Sequence, residues 1–283
     1  MKRILAALLA ASMLLCAGCT CSGVISYKNA NRYSSGGFTY EADKITSIDV
    51  EWSAGDVTLK NGSGKLSVSE SGGDSLKEAD RLHWWIDGSI LRIRYCKSGR
   101  LCTVNASEKH LVIELPVNAD VSVKIASGKI NSEGVLDLAG FTVQTASGGM
   151  DVDTLTAAAV KIQSASGALK LGSVRVSGSF TVDTASGGLS VESVTADSVS
   201  INSASGGVAL GLGAVNGVDI DSVSGGVTLR LADPERGAEI KLEAVSGKMN
   251  VKLPAEISGN TYTIGSGECR IHIKVVSGNV TVE

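Results

Sequence analysis

The residues able to do chemistry are few and scattered. Six Cys and three His occur in 283 residues. Cys96 and Cys102 flank a short Lys-Ser-Gly-Arg-Leu segment. Outside the cytoplasm a disulfide would clamp that loop; otherwise the two are reduced thiols. Cys269 stands alone and reads as a small hydrophobe. Zinc is not expected, because no Cys-x-x-Cys pair accompanies a His pair. His83, His110 and His272 are far apart, and no nucleophile-elbow pattern supports a Ser–His–Asp triad. Asp151 with Asp153, and Asp219 with Asp221, put carboxylates on one strand face. Calcium needs more oxygens at one point, so these read as a solvated face. The glycines of residues 211–217 sketch a dinucleotide turn, but no helix follows to receive a phosphate. Trp84-Trp85 should point one ring inward and one outward. The outward ring is either a stacking platform for a sugar or partner or part of a packed cap.

The N-terminus carries an address. Met1-Lys2-Arg3 is basic, and residues 4–15 are apolar apart from Ser12. That run is short for a membrane helix and suits a signal-peptide core. Cys16-Ala17-Gly18-Cys19 resembles the bacterial lipobox, usually Leu-Ala-Gly-Cys, with Cys16 where Leu is usual. The resemblance implies lipidation of Cys19; small neighbours admit a peptidase, and a thiolate is the nucleophile to alkylate. The alternative is an ordinary secretory signal cleaved near Gly18 or Gly23. Cleavage before Cys19 leaves 265 residues (283 − 18). No later stretch reaches the roughly 18 apolar residues of a membrane helix. The expectation is an exported chain, lipid-anchored to the extracytoplasmic face of the bacterial cell membrane. The domain plan is a signal peptide (1–18), a flexible tether (19–43), a β cap with a first coil (44–116), and solenoid repeats with an irregular C-terminal closure (117–283).

An interval of about nineteen residues organises the rest. Small-Ser-Gly triplets centre on Ser127, Ser147, Ser166, Ser186, Ser205, Ser224 and Ser246, with another at Ser277. The successive gaps are 20, 19, 20, 19, 19, 22 and 31. Between triplets, apolar and polar residues alternate, as in Phe180-Thr181-Val182-Asp183-Thr184 and Leu189-Ser190-Val191-Glu192. Period-two alternation between glycine turns means strands with one buried face. A near-constant interval between identical corners selects a coil wound repeatedly, with parallel strands about 4.8 Å apart. The fold class is therefore all-β, a single-stranded parallel β-solenoid with about 19–20 residues per coil and an elaborated N-terminal β cap.

Equivalent positions should form columns. The pair Val160 and Ile162 stacks on Phe180 and Val182, Val199 and Ile201, Val218 and Ile220, then Ile240 and Leu242. Thr145, Ser164, Thr184, Ser203 and Ser222 form an inward hydroxyl column, ended by Ala244 and expected to bond along the stack or to corner backbone. Gln144, Gln163, Asp183, Asn202, Asp221 and Glu243 form an outward polar ladder. Residues 48–59 repeat the strand-corner-strand grammar, residues 66–115 form the cap, and residues 261–283 break the spacing and are expected to close the stack. Aromatics are only 4% of the chain, as a thin core demands.

The run Val50-Glu51-Trp52-Ser53-Ala54-Gly55-Asp56-Val57, the segment with Trp84, Trp85 and Asp87-Gly88, and His110-Leu111-Val112-Ile113-Glu114-Leu115-Pro116 lead into the Ser-Gly corners. Together they resemble the bacterial "putative adhesin" β-strand-repeat family (domain of unknown function 4097), over roughly residues 44–283. The resemblance implies a surface or envelope protein and carries over no catalytic residues. The expected function is a non-catalytic envelope lipoprotein, an adhesin or surface scaffold using a rigid face. The competing readings are a regulatory or sensor component of an envelope stress pathway and a carbohydrate-active β-helix enzyme. Expected partners are the membrane, through the lipid, and an envelope, matrix or protein ligand. A net charge of −3 gives no reason to expect nucleic acid, and no small-molecule cofactor is expected.

Overall fold

Alternation becomes strand because each inward residue finds an equivalent residue one coil away. The computed structural model describes residues 24–62, 64–72, 76–101, 109–116 and 118–283. The chain forms two compact units, one within Leu14–Ala157 and one within Ala158–Glu283. Each is a stack of parallel β coils, the solenoid that the interval predicts.

In the first unit, Ser47–Ala54, Asp120–Ser127 and Gly140–Ser147 run parallel and in register. Ile48, Val121 and Phe141 share a column, as do Val50, Val123 and Val143, and all six are buried. Past the corner, Val57, Ile130 and Met150 continue the core. Each buried aliphatic side chain contributes about 1.5–3 kcal/mol, so every coil adds several such increments.

The order in space departs from the order in sequence. Ile90–Arg94 pairs parallel with Ser47–Ala54 on the edge opposite Asp120–Ser127. The later coil therefore lies outside the earlier one. Antiparallel strands then close the end. His83–Asp87 pairs with Ile90–Arg94, and Lys65–Ser71 pairs with His110–Leu115. Covering an open edge in this way blocks further strand addition.

The segment that reads as a tether is paired from residue 24 onward. Val24–Ile25 pairs with Arg100–Leu101, Ser34–Ser35 with His83–Asp87, and Phe38–Glu41 with Lys65–Ser71. Its polar composition hides the cause, which is aromatic. Tyr27, Tyr33 and Phe38 each lie against a ring, and that burial offsets the entropy of ordering the chain.

In the second unit, Ser166, Ser186, Ser205 and Ser224 stack in register at one corner. Ser277 comes next and Ser246 after it. The C-terminal strand Cys269–Ser277 thus inserts between residues 217–224 and Ala238–Ser246. Ile271 and Ile273, rather than Ile240 and Leu242, cover Val218 and Ile220. The closing elements are Ala238–Ser246 and, from the segment expected to close the stack, only the antiparallel strand Thr261–Ile264. Burial agrees: Val275, Val280 and Val282 are buried, while Leu242, Met249 and Val251 are only half-buried and Ala244 is exposed.

The corners nest on one another. Gly187 has φ +144°, a region that L side chains rarely adopt. A Cβ there would lie 2.1 Å from the carbonyl oxygen of Gly167, the equivalent glycine one coil away. Hydrogen bonds continue through the bend: the Gly187 N–H donates to Ser205 O at 3.1 Å, and Gly206 N–H to Ser224 O at 3.1 Å. Positive φ and close approach together explain why glycine follows the serine.

Candidate binding faces

The outward ladder of the second unit is a hydrogen-bonded column. Parallel register sets Gln163, Asp183, Asn202 and Asp221 side by side. The Asp183 carboxylate accepts from Gln163 Nε2 at 3.4 Å and from Asn202 Nδ2 at 2.8 Å. Strand spacing of about 4.8 Å suits this, because short amide and carboxylate side chains can bridge it. Lys274 and then Glu243 extend the column.

The inserted strand makes a charge cluster that sequence reasoning missed. His272 lies between Asp219 and Lys241 in the neighbouring column. Its Nε2 is 3.1 Å from Glu243 Oε1 and its Nδ1 is 3.8 Å from Asp219 Oδ1. Lys241 Nζ is 3.3 Å from Glu243 Oε1. The hydrogen bond with His272, then that with Lys241, holds the Glu243 carboxyl below its ordinary range. A signal existed: His272, Asp219 and Lys241 each stand five residues before a corner serine. His272 Nε2 is within hydrogen-bond distance of Glu243, while Nδ1 lies near Asp219 but beyond that distance.

The other candidate residues do not converge. Cys19 and Cys102 lie outside the described residues. Cys96 is buried and disulfide-bonded. Cys269 is a free, buried thiol, its pKa pushed up by burial. It lines a cavity of about 240 Å³ with Leu212, Leu231 and Arg236. Arg236 is engaged there by Val215 O, Asn216 Oδ1 and Glu268. His83 is buried, with Nδ1 2.9 Å from Arg81 O, and burial lowers its pKa. His110 faces Asp56 at 4.0 Å. Asp151 is paired with Lys129 at 2.8 Å. The glycines of residues 211–217 lie inside the strand Val208–Ser224. Among the described residues no three His, Cys, Asp or Glu side chains gather to hold a metal, and no helix is long and apolar enough to cross a membrane.

The tryptophans are packed in the cap. Trp84 stacks on Phe38 with centroids 3.8 Å apart, and Trp85 meets Tyr33 at 5.7 Å and the Arg32 guanidinium at 5.4 Å. Two ionic clusters lie nearby. On the outward face, Asp49 accepts from Arg94 Nη2 at 2.7 Å and Arg92 Nη1 at 3.3 Å. Arg94 also reaches Glu51 at 3.2 Å. It is 5% exposed despite its outward position, consistent with a covering layer. Tyr27 belongs to that covering segment, donates to Cys96 O at 3.0 Å, and has its pKa pushed up to about 12 by burial.

Inside the first unit, Lys109 is fully buried. Its Nζ lies 3.0 Å from Glu70 Oε2, donates to Asp80 O at 2.8 Å and to Tyr95 O, and sits over the Trp52 and Tyr95 rings. Glu70 Oε1 also accepts from Leu82 N at 2.7 Å. Desolvation lowers the Lys109 pKa, opposed by Glu70. No periodicity in the sequence announces this pair. It ties Lys65–Ser71 to the closing coil.

A family model and one solved structure agree with this architecture. The Toastrack DUF4097 family model matches residues 45–283. A crystal structure of a "putative adhesin" from Bacteroides fragilis NCTC 9343 has 15% identity and a TM-score of 0.50, covering 92% of this chain and 100% of that one. Another "putative adhesin", from Parabacteroides distasonis ATCC 8503, has 9% identity and a TM-score of 0.45, covering 87% and 96%. A "putative lipid binding protein" from the same Parabacteroides strain has 15% identity and a TM-score of 0.35, covering 88% and 97%. No curated relative matches the sequence.

Proposed function

The chain belongs to the Toastrack DUF4097 family, and from that premise we propose that it is a non-catalytic lipoprotein of the bacterial envelope, an adhesin or scaffold that binds through the rigid outer face of its solenoid. The observation carrying this reading is the Gln163–Asp183–Asn202 column, whose side chains are locked to one another by backbone register. A pre-ordered polar column loses little side-chain entropy on binding, so many weak contacts can add up. Catalysis on a β-helix needs a paired acid and base at a substrate groove. Here His272, Asp219, Glu243 and Lys241 engage one another on an open strand surface. The lipid on Cys19 supplies the membrane address, and Cys102 is the proposed partner of Cys96; non-reducing peptide mapping should recover the two in one linked peptide.

The test is charge reversal of the column, Asp183→Lys with Asp221→Lys, in the lipidated protein. Binding to whole cells, matrix proteins or envelope partners should fall sharply while the fold persists. Unchanged binding would remove the column from the function.

A further inference from the structure

The paired residues 24–41 change where the first unit must stand. If Cys19 carries the lipid, only the five peptide steps from Cys19 to Val24 separate the anchor from folded chain. At full extension they reach about 18 Å. The headgroup layer takes up roughly 6 Å of that. The clearance left is about 12 Å, close to the Debye length of about 8–10 Å at ordinary ionic strength. Charges on this end of the unit therefore lie within the electrostatic field of the lipid surface.

The nearest surface is basic. Lys28, Arg32 and Lys97 are all exposed. Among the described residues none of the three meets a carboxylate. They belong to one neighbourhood. Gly99 N donates to Ile25 O at 2.7 Å, and Tyr27 N donates to Ser98 Oγ at 3.1 Å. Tyr27 packs on Tyr33 at 4.5 Å, beside Arg32. The neighbouring acids are engaged: Asp80 by Arg100 at 2.8 Å, and Glu78 by the Ser35 hydroxyl at 3.3 Å. Val24, 53% exposed, adds an apolar contact where the chain emerges. Half-buried Trp85 and Tyr33 lie behind Arg32, an aromatic and basic mixture suited to an interface.

From this we infer that the first unit docks directly on an anionic lipid surface through Lys28, Arg32 and Lys97, rather than projecting on a long stalk. The inference rests on the lipidation of Cys19 proposed above. It is tested with the full lipidated protein in phosphatidylcholine vesicles with and without phosphatidylglycerol. A fluorophore is placed at exposed Asn31, or at Thr142 on Gly140–Ser147, and a quencher is carried on the lipid headgroups. Strand order puts Thr142 five pairings from Ser34–Ser35, about 24 Å along the stack.

The expected result is strong quenching at Asn31, little at Thr142, and more at Asn31 when phosphatidylglycerol is present. Quenching at Asn31 should be lost on Lys28→Glu/Arg32→Glu/Lys97→Glu. It should also fall when a Gly-Ser linker of about 20 residues, roughly 25 Å in r.m.s. span, is inserted after Ser22. The protein must stay in the membrane fraction in both cases. Membrane retention with equal, weak signals at Asn31 and Thr142 overturns docking while leaving lipidation intact. A water-soluble chain with unmodified Cys19 overturns both.

Discussion

Gly187→Ala tests whether the corners nest. The residue sits at φ +144°. An L side chain there costs about 1–3 kcal/mol in backbone strain. The added Cβ would lie 2.1 Å from Gly167 O, 2.9 Å from its carbonyl carbon and 3.0 Å from its nitrogen. An ordinary carbon–oxygen approach is about 3.3 Å or more, so two coils must part by about 1 Å. The obstruction is backbone held in a ladder, with Gly167 N donating to Ser186 O at 3.2 Å, and cannot swing aside. Overpacking of that kind costs about 1–3 kcal/mol. The combined loss is about 2–6 kcal/mol, more than the roughly 1–3 kcal/mol of backbone strain alone. Gly188→Ala is the control. Its nearest foreign atom is Gly207 O at 3.7 Å, an ordinary contact, so the change should stay within about 0.5 kcal/mol. Urea unfolding followed by circular dichroism reads the difference as a shift in midpoint at constant slope. Equal midpoints for the two variants would refute the nested corner.

Buried polar groups give two more expected outcomes. Thr184 is 1% exposed and its hydroxyl has no partner among the described residues; Thr184→Val should therefore raise the urea midpoint, by up to about 1 kcal/mol in stability, as an unsatisfied hydroxyl is replaced by a methyl. Lys109→Met strands Glu70 in the core and should cost about 3–5 kcal/mol, whereas adding Glu70→Gln should recover a large part of the loss in the same denaturation assay.

The corner interval and the inward columns were legible because they repeat. Each coil restates the same local rule, so one unit checks the next. Features outside the repeat escaped. Residues 24–41 look like linker because Ser, Gly, Asn and Tyr recur there without periodicity, while Tyr27, Tyr33 and Phe38 decide their structure. The Lys109–Glu70 pair joins residues 39 apart in a stretch without repeats, so nothing in the spacing links them. The hydroxyl column stands where the alternation puts it, and two of its members bond to corner backbone as expected. Thr145 and Ser203 reach corner carbonyls only at 3.4 and 3.5 Å. Ser164, Thr184 and Ser222 have no partner among the described residues, and strand spacing of about 4.8 Å is too wide for hydroxyl-to-hydroxyl bonds along the stack.

Stacking order escaped as well, and it gives the sharpest contrast. Counting corners along the sequence places Ala244 on the hydroxyl column directly after Ser222. Pairing instead places Val275 beside Ser222 and Ala244 beyond it. Interval alone cannot separate the two, since Ser246 and Ser277 offer the same corner to Ser224. The difference lies in the chain beyond Ser246: Thr261–Ile264 turns back antiparallel onto residues 238–241 and occupies that edge, so the last strand enters on the other side. Val275 is 2% exposed, and Ala244 is exposed. Val275→Asp should therefore bury an unpaired carboxylate and cost several kcal/mol, enough to unfold a marginal unit. Ala244→Asp should change stability by about 0.5 kcal/mol or less. Denaturation midpoints of the two variants decide the matter: a damaging Ala244→Asp beside a tolerated Val275→Asp would mean that the coils stack in chain order and that the inserted strand is wrong.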